Sequence, residues 1–147
     1  MPGISNHFDT MVAIKALIDG MGMFGITGGV VLQEVATFQD KQIPLPFISV
    51  SPYGPEKVGD ELNDRDGVYY GTLVAIMAMP DIQSLELRLG WRQTMRRRLN
   101  NVALSGLPMC YRLKVEPGNV VEPKVYFDRD GFVSGFVVRA NFQEPRL

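Results

Sequence analysis

The sequence predicts an α+β fold: a single domain with a mostly antiparallel or mixed β-sheet, two main helices packed on one of its faces, and a C-terminal β-hairpin. Three observations predict it. Apolar residues recur at helical spacing near the N-terminus and again around Trp91. Strand-like runs are grouped around these two stretches instead of alternating with them one for one. The length of 147 residues, with 46% apolar and 21% charged side chains, suits one ordinary globular core.

From Ser5 to about Met21, the residues Phe8, Met11, Val12, Ile14 and Ile18 recur at three and four, which predicts one apolar helical face. Lys15 falls inside that arc and Leu17 outside it, and Asp19-Gly20 supplies a stop. Gly20 to Gly29 holds five glycines and reads as a connector. Val30 to Phe38 is rich in β-branched residues and predicts a strand, with Asp40-Lys41 a turn after it. Ile43 to Val50 is a second extended segment. Its Pro44 and Pro46 donate no ladder hydrogen bonds, so it belongs at a sheet edge or a strand start. Pro52 to Asp66 reads as a polar loop, with Glu56, Asp60, Glu61, Asp64 and Asp66 against Lys57 and Arg65.

Gly67 to Met79 is nearly continuous in apolar residues, which predicts a central strand covered on both faces. Pro80-Asp81 ends it, and Asp81 is the candidate cap of a helix running to about Asn101, with the stripe Trp91, Met95, Leu99 and Val102. Ser84 to Leu89 alternates with period two, so a short strand is the alternative for its first turn. Met109 to Glu116 predicts a strand, Pro117-Gly118-Asn119 a turn, and Val120 to Phe127 a strand interrupted at Pro123. Asp128-Arg129-Asp130-Gly131 then turns into Phe132 to Phe142, on which Phe132, Phe136, Val138, Ala140 and Phe142 share one face. This closing run echoes Asp64-Arg65-Asp66-Gly67, with Gly71 and Val74 matching Gly135 and Val138 at the same spacing. Asp-Gly turns entering strands are common, so the echo reads as turn chemistry in preference to duplication.

Composition narrows the chemistry. The 15 basic and 16 acidic residues leave a net charge of −1, with no global field toward nucleic acid or membranes. One Cys and one His exclude an intrachain disulfide and a His/Cys zinc site. The N-terminus has no secretory or myristoylation pattern, and the longest apolar run, Leu73 to Met79, is too short to span a bilayer. The chain is therefore expected to stay in a reducing cytoplasm unless it leaves within an assembly.

Gly20-Met21-Gly22-Met23-Phe24-Gly25 matches G-x-G-x-x-G, and Asp40 lies where a ribose-binding acid belongs, but a helix precedes it and a strand follows. A dinucleotide site needs the reverse order, so the connector reading is preferred. The two Asp-Arg-Asp-Gly runs resemble half a calcium loop, yet Leu62 and Tyr126 would stand at the first ligand position. Cys110, between Met109 and Tyr111, reads as a small core residue rather than a nucleophile with His7 as its base. Neither a cofactor nor a metal is expected, and no catalytic residue is assigned. Arg88, Arg92 and Arg96, spaced by four, make a basic ridge that Arg97 and Arg98 extend. Two readings stand: a solvated face near a helix C-terminus, or a contact with an acidic protein surface. Nucleic-acid binding is disfavoured without interleaved aromatic residues. The acidic residues Asp60, Glu61, Asp64 and Asp66 are one such surface, and with Arg88, Arg92, Arg96 and Arg97 they form a candidate interface for head-to-tail contact between copies.

The helix of Phe8 to Ile18, the Gly-rich link, the segment Ile43-Pro44-Leu45-Pro46-Phe47-Ile48-Ser49-Val50, the charged loop, the strand from Val68, the Arg-rich helix and the closing hairpin occur in an order that resembles the tail terminator proteins of tailed bacteriophages. That resemblance spans nearly the whole chain, rests on length and element order, and carries no diagnostic motif. It implies a non-enzymatic subunit that forms a homohexameric ring on the tail tube, stops its growth and meets a head-side connector or stopper protein. The implied partners are the chain itself, the tail tube protein, that connector and the tail sheath, with no membrane and no sequence-specific nucleic acid. The implied place is the tail neck of the virion, after assembly in the host bacterial cytoplasm. Another neck or baseplate component of a phage-like contractile apparatus is the alternative, followed by a small ligand- or nucleotide-binding module using the Gly-rich link.

Overall fold

The computed structural model describes residues 4–37, 42–60, 65–80, 84–104, 106–116, 118–129 and 131–145. The elements are α1 (Asn6–Asp19), β1 (Val30–Leu32), β2 (Phe47–Asp60), β3 (Arg65–Ala78), α2 (Leu85–Leu99), β4 (Cys110–Glu116), α3 (Pro123–Arg129) and β5 (Phe132–Pro145). Five strands form one mixed sheet in the order β1-β2-β3-β5-β4, parallel between β1 and β2 and antiparallel elsewhere. This is the predicted α+β class, with β3 as the central strand and α1 and α2 together on one face.

Helix α1 starts where Ser5 Oγ accepts the Phe8 N–H at 3.1 Å, satisfying one of the donors a helix start leaves open. Met11, Ile14 and Ile18 face the core, but Phe8 and Val12, expected on the same face, are exposed. Lys15 reaches back out to Asp19 at 2.7 Å. Ser84 caps α2 by accepting from the Leu87 N–H at 3.1 Å, in place of Asp81, which lies outside the described residues. Trp91, Met95 and Leu99 form the buried stripe of α2, as predicted. The connector is anchored to that helix, because Trp91 Nε1 donates to the Phe24 carbonyl at 2.8 Å.

The main core gathers these helix residues with Val68, Val74, Ile76, Leu113 and the β5 row Phe132, Phe136, Val138, Ala140 and Phe142, all buried as the alternation predicts. A smaller cluster of Phe47, Ala75 and Met77, packed with Ile43 and Leu45, covers part of the opposite face.

Several elements differ from expectation. The strand expected from Val30 to Phe38 ends at Leu32, because Gln33 folds the next residues into a turn: its amide bonds both the N–H and the carbonyl of Thr37 at 3.3 Å. The predicted turn at Asp40-Lys41 lies outside the described residues. Pro44 and Pro46 precede β2, which lies between β1 and β3 where it begins; the Leu45–Pro46 peptide bond is cis. The expected loop from Pro52 to Asp66 is mostly strand. β2 pairs with β3 out to Asp60↔Asp66, through an irregularity between Tyr53 and Lys57 where Gly54 takes φ +68°. Pro52 and Pro55 are tolerated there because β1 has already ended and β2 is an edge strand.

Val120 to Phe127 is not a strand: Pro123 opens helix α3, where a missing N–H costs nothing. β4 and β5 therefore pair antiparallel across an intervening helix and not through a hairpin, and Asp128-Arg129 falls at the helix end. Asp130 and Pro117 lie outside the described residues.

Candidate functional site

The predicted Arg ridge divides into two groups with different surroundings. Arg88 is buried, 5% exposed, with its guanidinium 4.2 Å above the Phe132 ring and Nη2 donating to the Pro80 carbonyl at 2.8 Å. It belongs to the core, so its predicted place on a surface ridge is corrected. Arg92 is half-buried and acts as a clamp: Nη1 donates to the Gly135 carbonyl at 2.7 Å and Ser134 Oγ at 3.0 Å, and Nη2 to the Gly118 carbonyl at 3.2 Å. Burial, and then the neighbouring charge of Arg96, lower its pKa from the ordinary value. Helical spacing explains the division. Positions 88, 91, 95 and 99 form the buried face, whereas Arg96, Arg97 and Arg98 occupy the exposed last turn and form no ion pair with described residues.

On the acidic side, Glu61 and Asp64 lie outside the described residues. Asp60 and Asp66 close the described part of the β2–β3 ladder as register partners, which puts two acidic residues on one rung. Every residue from Pro52 to Gly59 is exposed. The acidic rung belongs to the β2 side of the sheet. The basic turn of α2 joins the other side, where the Asn101 N–H donates to the Leu113 carbonyl on β4 at 2.8 Å and Asn100 Oδ1 accepts from the Val115 N–H at 3.1 Å.

Two features escaped the sequence reading. A polar cluster joins α1 to the sheet: Tyr70 Oη donates to Glu144 Oε2 at 2.7 Å, Asn6 Nδ2 donates to the same oxygen, and His7 Nε2 donates to the Gly71 carbonyl at 2.8 Å. Burial, followed by the bond to Glu144 and its charge, pushes the Tyr70 phenol well above its ordinary range. These residues are remote in sequence, so no local spacing announces them. The second feature is a cavity of about 470 Å³ on the sheet face opposite α1 and α2, floored by Leu73, Ala75, Met77, Val133 and Val137 and walled by Val125 of α3.

Cys110 is buried, and burial raises its thiol pKa. No group of three or more His, Cys, Asp or Glu side chains suited to a metal occurs among the described residues. Among those residues no helix is long and apolar enough to cross a membrane. Comparison with protein-family models finds no match, and comparison with curated proteins finds none either.

Proposed function

We propose that this chain is a non-enzymatic structural protein of the phage tail neck: a subunit that assembles as a ring of six copies, caps the tail tube and presents the ring to a head-side connector. The observation that carries the proposal is the separation of charge across the sheet. Asp60 and Asp66 are register partners on the β2–β3 side, whereas Arg96, Arg97 and Arg98, which form no ion pair with described residues, stand on the last turn of α2, just before Asn100 and Asn101 bond to β4. A positive surface and a negative one at separate places on the chain suit a head-to-tail contact, and such contacts form a closed ring when the rotation per copy permits. The exposed β2 segment, with its edge prolines, supports a role in side-chain contact instead of strand addition, since two of its backbone positions carry no donor. The resemblance of the predicted element order to that of tail terminators supports the reading that the ring caps the tail tube and resides in the virion.

The test is the mass of the purified protein by light scattering at low and high salt, followed by electron microscopy with tail tubes. The expected result is a ring-sized species that salt weakens, and tubes capped at one end. Arg96→Glu with Arg97→Glu, both exposed, is expected to abolish the ring while preserving the fold. A monomer at every concentration that also leaves the tubes uncapped overturns the proposal. Association with a portal or baseplate component but not with tubes transfers the chain to another position in the same apparatus.

A further inference from the structure

A groove of about 810 Å³ runs along α2 beside the connector. Met21, Met23 and Phe24 of the connector line one side of it, and Leu87 and Trp91 line the helix side. Phe24 is 84% exposed, although the Trp91 indole holds its carbonyl, so an aromatic side chain is carried to the rim on an anchored backbone. Methionine and aromatic side chains presented together are typical of protein contact surfaces.

The helix side of the groove also carries Glu86, Gly90, Thr94 and Arg98. Spacing by four places them in one row, with an acid at the start of the helix, a base at its end and two small residues between. The charged ends stand about 18 Å apart along the axis. Neither Glu86 nor Arg98 forms an ion pair with a described residue. A Cβ at Gly90 would meet nothing within 4 Å, so a second backbone can come close at the middle of the row.

The order of these residues selects the occupant. Read backwards, the row is its own complement: a second α2 laid antiparallel on the first sets Arg98 opposite Glu86 at both ends and Gly90 opposite Thr94 at the centre. Both charges of the groove are then paired, whereas a parallel copy sets like charge against like. We infer that two copies of the chain pair through α2 across a two-fold axis between positions 90 and 94, closing the connector residues Met21, Met23 and Phe24 between them. The contact is isologous, the same patch serving on both copies. It goes beyond the ring reading and does not depend on it. Arg96 lines a separate hollow with Asn100 and Val115 beside β4, so the two contacts engage different arginines of the last turn.

The experiment uses the full chain carrying Thr94→Cys with Cys110→Ala, treated with a short bismaleimide. A covalent dimer of this variant with itself is expected, because the two-fold axis sets position 94 of one copy beside position 94 of the other; a head-to-tail contact joins two different patches and gives none. In the same background, Glu86→Arg and Arg98→Glu are each expected to lower the dimer yield about tenfold at dilute protein, since symmetry spoils two ion pairs at once. Both changes in one chain are expected to restore the yield. The doubly changed helix carries charges that oppose its dipole at both ends, so recovery cannot come from a steadier fold. Absence of the covalent dimer, or a double variant as weak as the single ones, overturns the inference and leaves the ring reading intact. Covalent dimers together with uncapped tail tubes retain the inference and remove the ring reading alone.

Discussion

Arg92 on α2 completes the backbone hydrogen bonding of Gly135 on β5. The described part of strand β4 ends opposite Val137, so among the described residues no strand lies beside the β5 carbonyls before that point on that side. The Glu122 N–H serves Val133 at 3.0 Å, and the Arg92 guanidinium serves Gly135 at 2.7 Å. The same guanidinium holds Gly118, so one side chain joins a helix, a strand end and the chain leading to α3.

Arg92→Met is therefore expected to destabilise the fold by about 2–3 kcal/mol, the scale of charged hydrogen bonds lost with a buried acceptor left open. Arg92→Lys is expected to recover little of it, because an ammonium lacks the planar fork that reaches two acceptors at once. Denaturant unfolding of the two variants checks both statements. Assembly tests should use Arg96 and Arg97, since changes at Arg92 confound folding with association.

Two glycines are expected to respond in opposite directions to alanine. A Cβ at Gly28 would overlap the Pro44 carbonyl oxygen and stand 2.7 Å from Phe47 Cβ, where the connector crosses the start of β2. Gly28→Ala should lower the melting temperature sharply. Gly90, inside α2, has nothing within 4 Å of such an atom. Gly90→Ala should stabilise by about 0.5–1 kcal/mol through helix propensity. Thermal melts of the pair decide.

The Tyr70 phenol sets a pH dependence. Its folded pKa lies above the unfolded value of about 10. The proton is therefore held more tightly in the folded state, and its contribution is fully present below pH 10. Above pH 10 the unfolded chain releases that proton first, and stability falls as pH rises toward the folded value. Tyr70→Phe should flatten this alkaline decline and, by removing the bond to Glu144, cost about 1–3 kcal/mol near neutrality. Urea denaturation from pH 7 to 11 measures both effects.

The strongly patterned elements were readable from sequence. The β5 row from Phe132 to Phe142 alternates as a strand with one buried face must, and the continuous run from Val68 lies at the sheet centre, where both faces are covered toward its end. The misread segments are those in which tertiary contacts override local chemistry. Pro52, Gly54 and Pro55 have low strand propensity, yet β2 pairs with β3 on both sides of the irregularity that holds Gly54 and Pro55, and so continues as a strand. Val125 and Tyr126 favour strands, but Pro123 starts a turn of helix that packs on β5. At the candidate interface, spacing by four located the Arg residues on α2 but did not show that the helix turns Arg88 and Arg92 inward, which depends on where Phe132 and Gly135 lie. The cavity is formed by three strands and α3, and no single stretch of sequence contains it.

The central position of β3 has a temporal side. Its partners on β5 are as distant as Arg65 and Pro145, and the nearest are Ala78 and Phe132. Pairings between such remote segments form late, after a large loop has been closed. During synthesis the apolar run of β3 emerges well before the strand that covers its second edge, and must wait beside β2 alone. The nascent chain is thus most exposed to misassociation between the making of β3 and the making of β5, and copies acquire a complete sheet to present to one another only after release of β5 from the ribosome.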